Sequence, residues 1–311
     1  MPQAAVEFVN SEPQFHRPCP VCEHDESEVF WSKGELKVNR CAHCFMLYVA
    51  DLSGEFASGK HYEKADFHLS PDKLNSDYSP VRFERELRIF RSFCASGKVL
   101  DVGCSTGGFL FQLQSRFPEG YAVIGIDIAT APLGHAEKQG ISVIREPFLK
   151  HDFGTERFDA ITFWAVMEHL PNPKKFLSRA ADVLRSGGHC FILVPNLRSL
   201  AVRIVGKRYR YIMPEHLNYF SPETLLRFVQ TESRLRVAAL QSTHFNPLVI
   251  LQDLKNRGEG VDDAARARLL KKTTAMKESG WLLGAKIVYR ACEQVLGHFT
   301  LADNLLIVLQ R

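Results

Sequence analysis

The stretch Lys98-Val99-Leu100-Asp101-Val102-Gly103-Cys104-Ser105-Thr106-Gly107-Gly108 decides the fold. Val99–Val102 reads as a strand and runs without interruption into a loop of small residues. Such residues let a ligand approach the backbone and let the next helix start tightly. Working outward, strand and helix patterns alternate. Further strands are expected at Ala122–Ile126, Ser142–Ile144, Phe158–Phe163 and Cys190–Val194. Helical stretches fall between them at Gly107–Phe117, Ala131–Gln139 and Pro173–Arg185, the last started by Asn172-Pro173 and stopped by Gly187-Gly188. Strands without strict alternation, separated by helices, imply a parallel sheet buried on both faces. Arg236–Leu240 and Leu305–Leu309 add two strands, and the segment from about 247 to 300 reads as a helical insertion. Upstream, Ser79 and Pro80 are expected to open a helix along Phe83, Leu87, Phe90 and Cys94 that Gly97 ends. The fold class is therefore α/β: doubly wound, mostly parallel and seven-stranded.

The loop carries chemistry in its acids. Asp101 stands two residues before Gly103, where a carboxylate can take a ligand's ammonium group, which a dinucleotide lacks. The second strand ends at Asp127, placed to accept hydrogen bonds from two ribose hydroxyls. No Gly-Lys-Ser/Thr follows the loop, which excludes a nucleoside-triphosphate P-loop. A plain strand–helix turn is the alternative that carries no chemistry.

Further segments complete a pattern: Phe158-Asp159-Ala160-Ile161-Thr162-Phe163, Val166-Met167-Glu168-His169-Leu170, Pro171-Asn172-Pro173, Leu184-Arg185-Ser186-Gly187-Gly188, Val194-Pro195-Asn196 and Pro214-Glu215-His216-Leu217-Asn218-Tyr219-Phe220-Ser221. With them, residues 98 to 311 resemble the class I S-adenosylmethionine-dependent methyltransferases. The similarity is to a bacterial branch that methylates small molecules and glycans on a Rossmann-like sheet. Ser105 departs from the pattern, since many members have glycine there. The resemblance implies that Asp101 and Gly103, in the loop with Ser105 and Gly107, face the methionine end of the cofactor. It implies that Asp127 holds the ribose, that Ile128 packs on the adenine with Phe148 near it, and that Trp164 lines the cofactor.

Methyl transfer from a sulfonium is an in-line displacement, so alignment supplies much of the rate. A hydroxyl nucleophile also benefits from a base, and a histidine suits that task. His169 follows the fourth strand and His216 lies after the fifth, before a helix capped by Ser221. His216 is the expected base, with a loop anchor as its alternative. For His169 the alternative to catalysis is a turn-fixing role. Tyr219 is a candidate for the acceptor pocket, with a packing role as its alternative. Tyr62, a further candidate for the substrate side, lies in His61-Tyr62-Glu63, which is similar to an aromatic segment found between ribbon and catalytic domain in these proteins; it is expected to fold over the cofactor, with a plain linker as the alternative. Trp164-Ala165-Val166-Met167 is not the Asn/Asp-Pro-Pro-aromatic motif of base-amine methylation, and Cys190 sits inside an apolar strand rather than at a loop end.

Cys19-Pro20-Val21-Cys22 and Cys41-Ala42-His43-Cys44 are two CxxC knuckles with 18 residues between them. Four thiolates at this spacing can close tetrahedrally around zinc, leaving no open position for catalysis. The unit looks like a zinc ribbon; a disulfide pair is the rival in an oxidising compartment. The other four of the 8 cysteines, Cys94, Cys104, Cys190 and Cys292, read as small buried side chains. The expected organisation is an arm over 1–17, the ribbon over 18–50, a linker or lid over 51–79, and the catalytic domain over 80–311.

With 39 Lys+Arg against 35 Asp+Glu, the net charge of +4 does not mark a dedicated nucleic-acid binder. An apolar fraction of 45% and a charged fraction of 24% exclude disorder. No apolar run reaches the roughly 18 residues of a membrane span, and the N-terminus lacks a secretory pattern, so the expected location is cytoplasmic. The leading expectation is transfer of a methyl group to an oxygen of a small molecule or glycan. Lys207-Arg208-Tyr209-Arg210-Tyr211 interleaves cations with aromatics, so an RNA or protein methyltransferase gripping through this loop and the ribbon is the alternative. A non-catalytic cofactor-binding scaffold is the third reading.

Overall fold

The structure, a computed structural model, describes residues 15–63, 66–255, 263–278 and 283–311. Most of the expected arm, up to residue 14, lies outside them. The chain opens with short strands β1 (Phe15–His16), β2 (Ser27–Lys33), β3 (Leu36–Cys41), β4 (Leu47–Tyr48) and β5 (Asp51–Leu52). β2 and β3 form a hairpin across Gly34-Glu35, where Gly34 supplies the positive φ of 58° that the tight turn needs.

Residues 54–77, expected as a loop, are instead wound into α1 (Gly54–Ser58), two 3-10 turns (Lys60–Glu63 and Asp66–Leu69) and α2 (Pro71–Asp77). Then come α3 (Glu84–Phe93), β6 (Gly97–Val102), α4 (Gly108–Arg116), β7 (Tyr121–Ile126), α5 (Thr130–Lys138), β8 (Ser142–Ile144) and β9 (Phe158–Trp164). A 3-10 turn at Met167–His169 leads to α6 (Pro173–Val183), β10 (Leu184–Pro195), α7 (Leu200–Val205), β11 (Asn218–Tyr219), α8 (Pro222–Val229) and β12 (Arg236–Thr243). The chain finishes with α9 (Pro247–Lys255), α10 (Asp263–Glu278), α11 (Leu283–His298) and β13 (Asn304–Gln310).

The large sheet has seven strands in the order β12-β13-β10-β9-β6-β7-β8. The pairs β10–β9, β9–β6, β6–β7 and β7–β8 are parallel, and β13 runs antiparallel to β10 and β12. The carboxyl ends of β6, β7, β9, β10 and β12 therefore share one edge, the edge where ligands bind in open α/β sheets. The smaller sheet, β11-β4-β3-β2, recruits β11 from the sequence just after His216. Cys19, Val21, Cys41, Cys44, Met46 and Tyr48 of the N-terminal module share one apolar core with Leu100, Ile161 and Ile192 of the large sheet. Among these, a valine, leucine, isoleucine or methionine buried this fully contributes about 1.5–3 kcal/mol, so the two sheets stabilise each other.

Three local expectations are corrected. The helix drawn from Ser79-Pro80 begins at Glu84, because the Gln112 amide takes the Tyr78 and Ser79 carbonyls at 2.8 and 3.1 Å and holds a turn there. Helix α6 stops at Val183 rather than Arg185: Leu184 already pairs with Phe158, and Gly187, at φ 78°, lies within the register shift of β10. Cys292 is exposed, whereas Cys94, Cys104 and Cys190 are buried as expected. No helix among the described residues is long and apolar enough to cross a membrane.

Candidate active site

The tips of β6 and β7 meet. Gly103 has φ 72°, and a Cβ there would lie 2.7 Å from Val166 Cγ2; Gly107, at φ 74°, starts α4. Ser105 occupies the same left-handed region at φ 51°, a costly conformation for serine. Its backbone N–H donates to Asp127 Oδ2 at 2.8 Å, while Asp127 Oδ1 accepts from the Ile128 and Ala129 N–H groups at 2.7 and 3.0 Å. The carboxylate of Asp127 thus binds the glycine loop to the end of β7.

Asp101 is 3% exposed and accepts a 2.6 Å hydrogen bond from the Thr162 hydroxyl. Burial pushes its carboxyl up to about 7, against the pull of Thr162, and the charge on Asp127 adds to the rise. A carboxyl in that state gains from a cation beside it.

Trp164 closes β9, half-buried against Phe109 at 4.9 Å, with its indole N–H unpartnered among the described residues. Ile128 lies under the turn after α1: a Cβ on Gly59 would sit 3.9 Å from its Cδ1. Phe148 is buried among Phe153, Phe163 and Phe176 in the core.

Beyond β9 the structure brings His169, His216, Tyr62 and Tyr219 together. The two imidazoles meet edge to face at 4.7 Å. His169 Nδ1 lies 2.8 Å from the Glu215 carbonyl, an acceptor, so Nδ1 carries the proton and Nε2 is left with its lone pair. Burial drives His169 down to about 4, which keeps it neutral near pH 7. The Tyr62 hydroxyl donates to the Glu215 carbonyl at 2.8 Å, with the His169 carbonyl at 3.2 Å, and its ring stands 5.3 Å from that of His169. The Tyr219 hydroxyl donates to Met213 O at 3.0 Å, and the Tyr211 ring stacks on His216 at 5.8 Å. Glu168 is 1% exposed, and burial raises its carboxyl to about 8, so it is protonated at neutral pH. Donor atoms of Glu168, His169 and His216 lie within 4.8 Å of one another, close enough to hold a cation.

The four cysteines of the N-terminal module also converge. Their sulfurs all lie within 4.8 Å of one another, with Cys19–Cys44 and Cys22–Cys41 each at 3.4 Å. Two thiolates on a tetrahedral zinc at about 2.3 Å would be roughly 3.8 Å apart. The donor set fits that ion closely.

Other polar groups at this edge gave no signal in the sequence. His244, at the end of β12 with φ 61°, pairs with Glu86 of α3 at 2.5 Å. Asp77 meets the Thr106 hydroxyl at 3.2 Å, and Arg82 reaches to 3.8 Å from Asp77. Arg17, in the segment read as a loose arm, is anchored by four hydrogen bonds. The basic loop is also rearranged: Arg210 is 6% exposed and doubly bonded to Asp253, and Tyr209 is buried, leaving only Lys207, Arg208 and Tyr211 at the surface.

Comparison with known proteins identifies the family and the fold. Residues 80–231 match a family described as a methyltransferase domain. The ubiquinone biosynthesis O-methyltransferase of Serratia proteamaculans is 28% identical over 221 residues, covering 64% of this chain and 90% of that protein. The protein of the same name from Salmonella arizonae is 30% identical over 227 residues, covering 65% and 90%. A methyltransferase from Archaeoglobus fulgidus shares the fold with a TM-score of 0.50 at 20% identity, covering 76% of this chain and 98% of that one. The chain belongs to the class I S-adenosylmethionine-dependent methyltransferases, and carries at its N-terminus a four-cysteine cluster consistent with a zinc ribbon.

Proposed function

We propose that this methyltransferase acts on an oxygen of a small-molecule or glycan acceptor, with His216 as the base. The observation that carries the reading is the pairing of half-buried His169 with buried His216, which stands beyond β9 at the sheet edge shared with Asp101 and Asp127. S-adenosylmethionine supplies an electrophilic methyl group when bound. Asp101 receives its ammonium, and the loop Gly103, Ser105 and Gly107 lets its methionine end approach the backbone. Asp127 receives the ribose while keeping its bonds to the loop. Ile128 and Trp164 line the cleft, and Phe148 forms the wall behind. Arg82, a cation close to the glycine loop, suits the cofactor's carboxylate. His216 takes the proton of the acceptor hydroxyl as its oxygen bonds to the methyl carbon and the carbon–sulfur bond breaks, leaving S-adenosylhomocysteine; His169, neutral and with only a lone pair at Nε2, accepts a hydrogen bond from a second donor on the acceptor. Tyr62 and Tyr219 shape the acceptor side, their hydroxyls committed to main-chain oxygens. The O-methyltransferase names of the relatives support oxygen as the accepting atom.

The cysteine cluster holds a structural zinc with no open position. Purified protein should contain one zinc per chain, and Cys41→Ser should lose it; metal analysis that finds none in either protein contradicts this. The acceptor class is tested with methyl-labelled cofactor and a size-fractionated cell extract. Label should enter the small-molecule or glycan fraction; label confined to RNA or protein would support the rival reading. Burial of Arg210 and Tyr209 speaks against that rival, because it withdraws two of the five residues of the cation–aromatic grip.

A further inference from the structure

Arg17 stands between the cysteine module and the two histidine segments. Its Nε donates to Val49 O at 2.8 Å, Nη1 to Pro171 O at 2.8 Å, and Nη2 to Leu217 O at 2.6 Å and Asn218 Oδ1 at 3.0 Å. Asn218 passes the restraint on: its amide nitrogen donates to the Met167 and Leu170 carbonyls, both at 2.8 Å. The backbone repeats the same connection. Val49 N–H donates to Leu217 O at 3.0 Å, and Leu217 N–H to Glu168 O at 2.7 Å.

Three segments therefore meet at one guanidinium and one amide. The first is the chain that leaves the second cysteine knuckle, the second is the turn holding Glu168 and His169, and the third follows His216. These partners of Arg17 are carbonyl and amide oxygens, none of them a carboxylate. Taking a cation out of water costs free energy, and a neutral packing residue could fill the same space more cheaply. What the guanidinium adds is a planar fork of donors fixed in direction, which a lysine cannot reproduce. Methyl transfer depends on such fixed directions, since a displacement near 1 Å at the reacting groups can cost about 10²-fold in rate.

We propose that Arg17 and Asn218 are positioning residues for methyl transfer, setting His169 and His216 relative to each other and tying that setting to the cysteine module. The proposal rests on reading the two histidines as the acceptor-side pair. Arg17→Lys keeps the charge but presents one nitrogen in place of the fork. In the full-length, zinc-loaded protein this variant should bind S-adenosylhomocysteine within twofold of the parent. Label transfer to the small-molecule extract fraction should fall about 10–100-fold at saturating cofactor. Amide hydrogen exchange should quicken at least tenfold in peptides covering 166–171 and 213–219, and stay unchanged over 101–108 and 122–128. Asn218→Ala separates the two arms of the clamp: it should loosen 166–171 and leave the Val49 amide, which donates to Leu217 O, protected. In histidine-labelled protein, the mutual ring-current shifts of His169 and His216 should shrink in both variants.

Parental exchange, ring shifts and label transfer in Arg17→Lys would overturn the proposal. So would exchange that quickens throughout the molecule with loss of S-adenosylhomocysteine binding, since Arg17 would then serve the fold as a whole. If His216→Ala leaves label transfer unaltered, the reading of the histidines fails instead, and the exchange pattern alone decides whether the clamp exists.

Discussion

Replacing His216 with alanine should lower the rate of methyl transfer by about 10²–10⁴-fold, the range of general-base catalysis, while S-adenosylhomocysteine binds as tightly as to the parent. The two measurements separate because His216 stands beyond β9 and β10, whereas the loops after β6 and β7 carry the proposed cofactor contacts. The pH profile adds a second check. Burial holds His169 neutral down to about 4, and Glu168 keeps its proton up to about 8. Asp101 is the group that burial raises to about 7, so a loss of rate as pH falls through 7 at subsaturating cofactor marks the cofactor side. His216→Ala should keep that limb while lowering the rate throughout. A rate equal to the parent's at every pH would leave His216 as an anchor for the loop between Met213 and Leu217.

Replacing Asp101 with asparagine should weaken S-adenosylhomocysteine binding by about 10–100-fold, the cost of losing a charged hydrogen bond. The parent's affinity should also depend on pH in a definite direction. Burial raises Asp101 to about 7, so its carboxylate fraction grows several-fold between pH 6 and 7.5, and affinity for the cofactor's ammonium should grow with it. The ligand-free fold responds the other way. A carboxyl raised above its unfolded value favours the fold when protonated, so that contribution fades as pH climbs from about 4 through 7. Calorimetry across pH on parent and Asp101→Asn checks both signs; a pH-independent parent would remove Asp101 from the ammonium role. Asp127→Ala should weaken binding at least tenfold as well, through the ribose and through release of the Ser105, Ile128 and Ala129 N–H groups it now holds.

The parts of this site that can be read from sequence are those where one position forces one residue type. Gly103 and Gly107 sit at positive φ, Asp127 ends a strand, and paired cysteines at CxxC spacing converge. Alternation of strands and helices announced the parallel sheet for a similar reason: a strand covered on both faces has to be apolar throughout. What stayed hidden depends on partners distant in the chain. Arg210 looks like part of a basic surface until Asp253, 43 residues later, pairs with it inside the protein. Arg17 finds its carbonyls 154 and 200 residues away, and Glu86 finds His244 at a separation of 158. Residues 54–77 are polar and rich in serine, so nothing local distinguishes a linker from the short helices that pack beside Ile128 and Thr106. Gly187-Gly188 were legible as a break, yet a bulge inside β10 and a helix stop have the same local signature.

The tips of β6 and β7 together are proposed to bind a sulfonium nucleoside. A crystal structure of the protein with S-adenosylhomocysteine measures this directly. The amino-acid end is expected at Asp101 and Gly103 and the ribose hydroxyls on Asp127, with the sulfur turned toward His169 and His216. Density for the ligand at another surface, or a crevice left vacant at saturating concentration, would contradict it.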